Sequence, residues 1–460
     1  MKKDTIAAVS TAMAPSGIGI VRISGPQAIE AADRIFRGKN GRTLAEAKSH
    51  TLHYGHIEEE GRILDEVLVS VLRAPHTYTR EDTIEINCHG GNFVLKTVLE
   101  ACLRAGVRLA DPGEFTRRAF ENGRIDLSQA EAVMDLIASE NQTAAGSAVA
   151  HLGGAVRRKT ENLRSRILEE TAFIEAALDD PEHYDLDGYG KKLKPVLQQI
   201  MTDIQKLLDT ADEGRIMKEG IATVILGRPN VGKSTLLNLL SGEERAIVTD
   251  IAGTTRDILE EKVILGGVPL RIVDTAGLRD TEDTVERIGV ERARACAKEA
   301  ELIFYILDGT DPLTEEDRKN LAELQGRKVI LLVNKTDLPE AADKEDIKRQ
   351  ITAAYDSVLC ISALKGEGIA QLSDKIREMF LLGKIKNSQE VYITNTRHKV
   401  CLTDAKKALM LTMESIDSGM PEDVYTIDLM DAYSALGRIT GEEVGEDLIN
   451  EIFSRFCMGK

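Results

Sequence analysis

The stretch Gly227-Arg-Pro-Asn-Val-Gly-Lys-Ser234 decides the fold of everything from about residue 218 to 380. It fits G-x-x-x-x-G-K-S, follows the apolar run Ile221 to Leu226 and opens a helix-like run, Ser234 to Leu240. A strand, a glycine-rich loop and a helix in that order make a phosphate-binding loop. Glycines at 227 and 232 permit backbone angles that a side chain would block, so successive N–H groups can converge on phosphate oxygens. The helix that follows points its positive end at the same anion. On this reading Asn230, Val231, Gly232, Lys233, Ser234 and Thr235 contact a nucleotide. Lys233 reaches its β- and γ-phosphates and Ser234 holds Mg²⁺.

Three further motifs follow in order, each at the end of an apolar run. Asp274-Thr275-Ala276-Gly277 ends Leu270 to Val273, where a carboxylate can meet Mg²⁺ through water and a glycine N–H can sense the γ-phosphate. Asn334-Lys335-Thr-Asp337 ends Val329 to Val333. Guanine presents two N–H donors on one edge, and the Asp337 carboxylate offers two matching acceptors. Ser362-Ala363-Leu364 ends Val358 to Ile361 and would back the base with a main-chain N–H. Taken singly, Asp-Thr-Ala-Gly reads as a turn and Asn-Lys-Thr-Asp as a helix cap. Four in order at strand ends point instead to a GTPase domain of the Ras-like, doubly wound α/β class.

Two details bear on mechanism. Leu278 stands where Ras-like enzymes place the glutamine that orients the attacking water, and an apolar side chain cannot do that work. Glu286 is the best local candidate to activate water; a solvated charge in an acidic run is the competing reading. Asn230 lies inside the phosphate loop, beside Thr249-Asp250-Ile251-Ala252-Gly253-Thr254-Thr255-Arg-Asp257. Its amide oxygen and nearby loop carbonyls could hold a monovalent cation that stabilises transition-state charge, or Asn230 only shapes the loop. Thr255 is the natural switch hydroxyl for Mg²⁺.

At 460 residues with 42% apolar content the chain has room for two to four domains with proper cores. A net charge of −17 argues against a broadly basic nucleic-acid face, so an RNA partner would need a second protein's surface. Six cysteines without C-x-x-C spacing suggest a reducing compartment and no structural zinc. The apolar stretch near Met1 is too short and polar for a signal peptide, and no run approaches a membrane span. A cytoplasmic protein is expected.

Residues 1–118 read as a mixed α/β domain, with strands at Gly19 to Ser24, Val67 to Leu72 and Thr83 to Asn87, and a helix from Phe93 to Ala105. Arg22, Glu85 and His89 stand beside glycines at strand ends, where surface charge is the plainer reading. From 119 to 217 the pattern is helical. Leu127, Ala130, Val133, Met134 and Ile137 share a face, with Ser128-Gln-Ala-Glu131 as a capping box. Val156, Leu163, Ile167, Ile174 and Leu178 form a second stripe, and Val196, Ile200, Ile204 and Leu207 a third. Residues 381–460 are helical again and end Phe456-Cys-Met-Gly-Lys460. The simplest organisation joins 119–217 to 381–460 as one helical domain with the GTPase segment, 218–380, inserted.

The four motifs, Gly253-Thr-Thr-Arg-Asp257, Pro112-Gly-Glu-Phe115, Asp126-Leu-Ser-Gln-Ala-Glu131 and the Phe-Cys-x-Gly-Lys terminus together resemble the MnmE (TrmE) family of tRNA-modification GTPases, over the whole chain. The resemblance implies a homodimer formed through the N-terminal domain. It also implies a 5-formyl- or 5,10-methylene-tetrahydrofolate bound there by Arg22, Glu85, Arg124 and Lys460. Arg124 replaces a lysine of some relatives, which changes the geometry of that contact. K⁺ would lie at Asn230, Thr249, Ile251 and Thr254 and pair the GTPase domains, with Glu286 activating water. The implied partner is the FAD-dependent MnmG (GidA), in a heterotetrameric or larger complex. Together the two would add an aminomethyl or carboxymethylaminomethyl group at C5 of the tRNA wobble uridine. A regulatory or ribosome-assembly GTPase would use the same four motifs without folate chemistry. A folate enzyme acting alone would leave the GTPase as a stability module.

Overall fold

The structure is a computed structural model that describes residues 4–39, 41, 43–243, 260–273, 298–338, 355, 357–380, 392–442, 444–456 and 459. The chain forms two compact units. One comprises Met1–Met134, His151–Asp180 and Thr426–Lys460; the other comprises Asp135–Ala150 and Pro181–Tyr425.

The first unit is built on a seven-stranded mixed sheet. Its strands are β1 (Ile6–Val9), β2 (Ser16–Ser24), β3 (Phe36–Gly38), β4 (Thr51–Glu59), β5 (Arg62–Leu72), β6 (Thr83–Gly90) and β7 (Arg108–Leu109), in the order β3-β4-β5-β6-β2-β1-β7. Helices α1 (Ala28–Ile35) and α2 (Asn92–Arg104) cover one face. Val21, Ile23, Val67, Val69, Val71, Ile84 and Ile86 alternate inward along their strands and bury against Leu95, Val98 and Ala101. The three strands expected from sequence are present. So is the helix, which stops before Gly106 at φ +102°. The segment Ile6–Val9 is a strand pairing with β2 and β7, a role its resemblance to a leader peptide hides.

Helix α3 (Glu114–Glu121) leads into α4 (Leu127–Ile137). The capping box of α4 is not Ser128/Glu131. Gln129 N–H donates to Asp126 Oδ1 (2.8 Å) and Asp126 N–H donates to Gln129 Oε1 (3.0 Å), so the cap starts two residues earlier. Two further helices, α5 (Gln142–Leu152) and α6 (Ala155–Asp179), follow. Val156, Leu163, Ile167 and Ile174 are buried in α6 as the stripe requires. Leu178 is exposed, and Ala177 is buried in the last turn instead.

In the second unit α7 (Tyr189–Asp209) and α8 (Ala211–Glu219) precede a six-stranded sheet. Its strands are β8 (Ile221–Leu226), β9 (Glu260–Leu265), β10 (Val268–Val273), β11 (Leu302–Asp308), β12 (Val329–Asn334) and β13 (Val358–Cys360), ordered β13-β12-β11-β8-β10-β9. All neighbours are parallel except β9 with β10. Parallel strands buried on both faces read as continuous apolar runs, and β11 and β12 are buried at every residue. Helices α9 (Lys233–Glu243), α10 (Glu315–Glu323) and α11 (Ile369–Met379) belong to this layer. In the third stripe Ile200 and Ile204 are buried; Val196 and Leu207 are half-buried, while Leu193 and Leu197 complete the face. Helix α7 packs along α12 (Thr396–Asp417), and α13 (Glu422–Thr440) and α14 (Glu446–Ser454) follow. Val400 is exposed, whereas Leu402, Ala408, Leu409, Leu429, Ala432 and Leu436 are buried.

Candidate nucleotide and one-carbon sites

β8 sits mid-sheet with β11 on one side and β10 on the other. The chain leaves β8 toward β10 and later crosses to β11, so the crevice beyond the ends of β8 and β11 is a topological switch point, where open α/β sheets bind ligands. The 227–234 loop occupies that place. Gly227 (φ +146°), Asn230 (φ +62°) and Gly232 (φ +103°) give it the reversed backbone a phosphate cradle needs. Lys233 opens α9 and its ammonium donates to the carbonyls of Gly227 (2.8 Å) and Arg228 (2.7 Å). Burial holds its pKa below the ordinary lysine value. Ser234 and Thr235 are exposed on the first turn of α9.

Asn334 locks two motifs together. Its Nδ2 donates to the Val231 carbonyl (2.8 Å) and its Oδ1 accepts from the Ala363 N–H (2.9 Å). The Ala363 N–H thereby ties the fourth motif to the third. A Cβ at Gly232 would stand 2.2 Å from Asn334 Nδ2, so that contact requires the glycine. Lys335 (φ +63°) reaches Asp308 Oδ2 at 2.5 Å, tying the third motif to the end of β11. Burial opposes the Asp308 carboxylate, but the bonds from Lys335 and Thr310 more than offset it and lower its pKa. The Ser362 hydroxyl, and then Lys365 at 3.6 Å, hold Asp337 below the usual carboxylate range. Leu364 is exposed. Residues Thr249, Asp250, Ile251, Ala252, Gly253, Thr254, Thr255, Asp274, Thr275, Ala276, Gly277, Leu278 and Glu286 lie outside the described residues, as do Cys457 and Lys460.

In the first unit Arg22 and Glu85 are cross-strand partners on β2 and β6, with Arg22 Nε 2.9 Å from Glu85 Oε1. Tyr78, a residue that sequence reading did not single out, has two guanidiniums near its ring: Arg124 Cζ is 4.7 Å and Arg22 Cζ 5.9 Å from its centre. The chain terminus comes to the same place. The Gly459 carbonyl accepts from Arg22 Nη1 (3.3 Å) and Ser10 Oγ (3.1 Å), and a Cβ on Gly459 would meet the Val9 carbonyl at 2.1 Å. His89 is not part of this cluster; its Nδ1 pairs with Asp65 at 2.6 Å, which raises its pKa.

Residues 5–124 match the family described as GTP-binding protein TrmE N-terminus, and residues 127–457 match the MnmE helical domain. A tRNA modification GTPase MnmE of Lachnoclostridium phytofermentans is 52% identical over 100% of both chains, and that of Bacillus subtilis is 49% identical over 99% of this chain and 100% of its own. Among solved structures, Aquifex aeolicus Era bound to GDP·AlF4⁻ is 26% identical, covering 41% of this chain and 66% of that chain at a TM-score of 0.26. Full-length identity near one half, together with a nucleotide loop and an N-terminal sheet carried on one chain, establishes that the chain belongs to the MnmE family of tRNA modification GTPases.

Proposed function

We propose that this GTPase modifies the wobble uridine of tRNA at C5 with an FAD-dependent partner of the MnmG type, using a tetrahydrofolate one-carbon unit. The observation that carries the folate part is the convergence of Arg22, Glu85, Arg124, Tyr78 and Gly459 on one patch of the first unit. A flat heteroaromatic ring fits this donor set: guanidiniums stack on or hydrogen-bond its edge, a carboxylate accepts its N–H groups, and Tyr78 supplies a ring face. Lys460, adjacent to Gly459, is assigned to the same site. Bound there, the folate would supply the carbon that is transferred.

At the nucleotide site, the N–H groups of 230–235 and the Lys233 ammonium would hold the phosphates, and Asp337 would read guanine. Ser234 and Thr255 would hold Mg²⁺, whose charge offsets that of the phosphates. Asn230 fits a K⁺ role, because its left-handed backbone exposes the side chain at the loop tip; Thr249, Ile251 and Thr254 would complete that site. Glu286 would activate water. We assign 1–118 to folate binding and dimerisation, 119–217 with 381–460 to the helical domain, and 218–380 to the inserted GTPase. A second copy fits the sheet face opposite α1 and α2, where Ile18, Leu52, Tyr54 and Leu68 are exposed. Among the described residues no helix is long and apolar enough to cross a membrane, and a cytoplasmic site of action goes with a tRNA substrate.

Equilibrium binding of 5-formyl-tetrahydrofolate tests the reading. Binding lost in Arg22→Ala, with GTP hydrolysis kept, is the expected result. Wild-type protein that binds no folate, while hydrolysing GTP, would leave a GTPase without one-carbon chemistry.

A further inference from the structure

Arg228 is the first variable residue of the phosphate loop, and its side chain reaches the first turn of α10. Its Nε lies 3.0 Å from Asp317 Oδ2, with Asp311 Oδ2 a looser 3.6 Å from Nη2. Asp317 is 1% exposed. Its Oδ2 also accepts from the Thr314 hydroxyl (2.6 Å) and N–H (3.1 Å), the capping box of α10. Its Oδ1 accepts from the Tyr305 hydroxyl at 3.1 Å, and Tyr305 is 1% exposed in the middle of β11. A buried carboxylate held by three donors from two residues is a rigid anchor, and its remaining charge demands a cation. Arg228 is that cation.

The Arg228 carbonyl is meanwhile one of the two acceptors of the Lys233 ammonium. One residue thus has its side chain fixed to the β11–α10 corner and its peptide oxygen on the lysine of the loop. We infer that Arg228 and Asp317 form a positioning pair that holds the phosphate loop, and Lys233 with it, in register for the nucleotide. This rests on the reading of 227–234 as the phosphate loop. Neither side chain need touch the nucleotide. Because Lys233 serves ground state and transition state alike, loosening the pair should weaken binding more than turnover.

The test is a double-mutant cycle in the full-length chain, with Mg²⁺·GDP affinity and GTP turnover as readouts. Asp317→Asn keeps an acceptor for the α10 cap while removing the charge, and Arg228→Ala removes the cation. Each single variant should weaken GDP by about tenfold, and the double variant by about the same factor, because the two changes break one interaction. KM for GTP should rise with kcat held within about twofold, and Arg228→Lys should recover part of the loss. Unchanged GDP affinity in Arg228→Ala, or fully multiplicative losses in the double variant, overturns the inference, whatever the melting temperature does. Lys233→Ala separates the two levels: if it too leaves GDP affinity intact, the phosphate-loop reading itself fails.

Discussion

Guanine offers two adjacent N–H donors, and Asp337 can meet both only while its carboxylate is ionised. The bond from Ser362, and the charge of Lys365, lower its pKa from the ordinary 3.8, so the group is mostly charged above that value. Nucleotide affinity should therefore show little loss through this residue at neutral or mildly acidic pH. Asp337→Asn preserves volume but turns one acceptor into a donor. GTP affinity should drop by about a hundredfold or more, while xanthosine triphosphate, which presents a carbonyl at that edge, should gain. Competition binding measures both, and unchanged preference would remove Asp337 from the base site. Asp337, Asn334 and Lys233 could be singled out from the sequence because each stands in a motif only a few residues long. Tyr78 and the Arg228–Asp317 contact were not, since their meaning depends on partners tens of residues away that no local pattern names.

Among the elements, α4 shows how a start signal can be read two residues out of place. Both Asp126-x-x-Gln129 and Ser128-x-x-Glu131 fit the capping pattern, and only the backbone decides that Asp126 is outside the helix while Ser128 is within it. Asp126→Ala should cost about 1 kcal/mol of stability, and Ser128→Ala clearly less. Thermal melts give the comparison, and the reverse order would return the cap to Ser128. The strands of the nucleotide sheet were read at four of six places because each of those ends in a motif. β11 ends in Asp308-Gly-Thr, which carries no such flag, and a short apolar run alone does not separate strand from helix. Yet β11 supplies Tyr305 and Asp308, the residues that tie the loop corner and the base motif to the sheet. Gly232→Ala should abolish nucleotide binding, because a side chain there collides with Asn334 and strains a backbone at φ +103°.

For the whole molecule, the net charge of −17 argued against a broadly basic surface, but composition could not show which distant segments meet. The sequence places residues 459 and 22 at opposite ends of the chain; the fold brings the Gly459 carbonyl onto Arg22. With Leu278 in place of a glutamine, and Asn230 at the loop tip, hydrolysis should be faster in K⁺ than in Na⁺, and Asn230→Ala should remove most of the difference. Equal rates in the two salts would defeat cation activation and leave the GTPase assignment standing. The joining of GTP hydrolysis to tRNA chemistry is tested most directly by nucleoside mass spectrometry of tRNA. The cells to compare lack this chain or are rescued with wild type or Lys233→Ala. Loss of the C5 modification at the wobble uridine, restored by wild type and not by Lys233→Ala, is the result expected. Full restoration by a Lys233→Ala protein shown not to hydrolyse GTP, or no loss in the deletion, would contradict it.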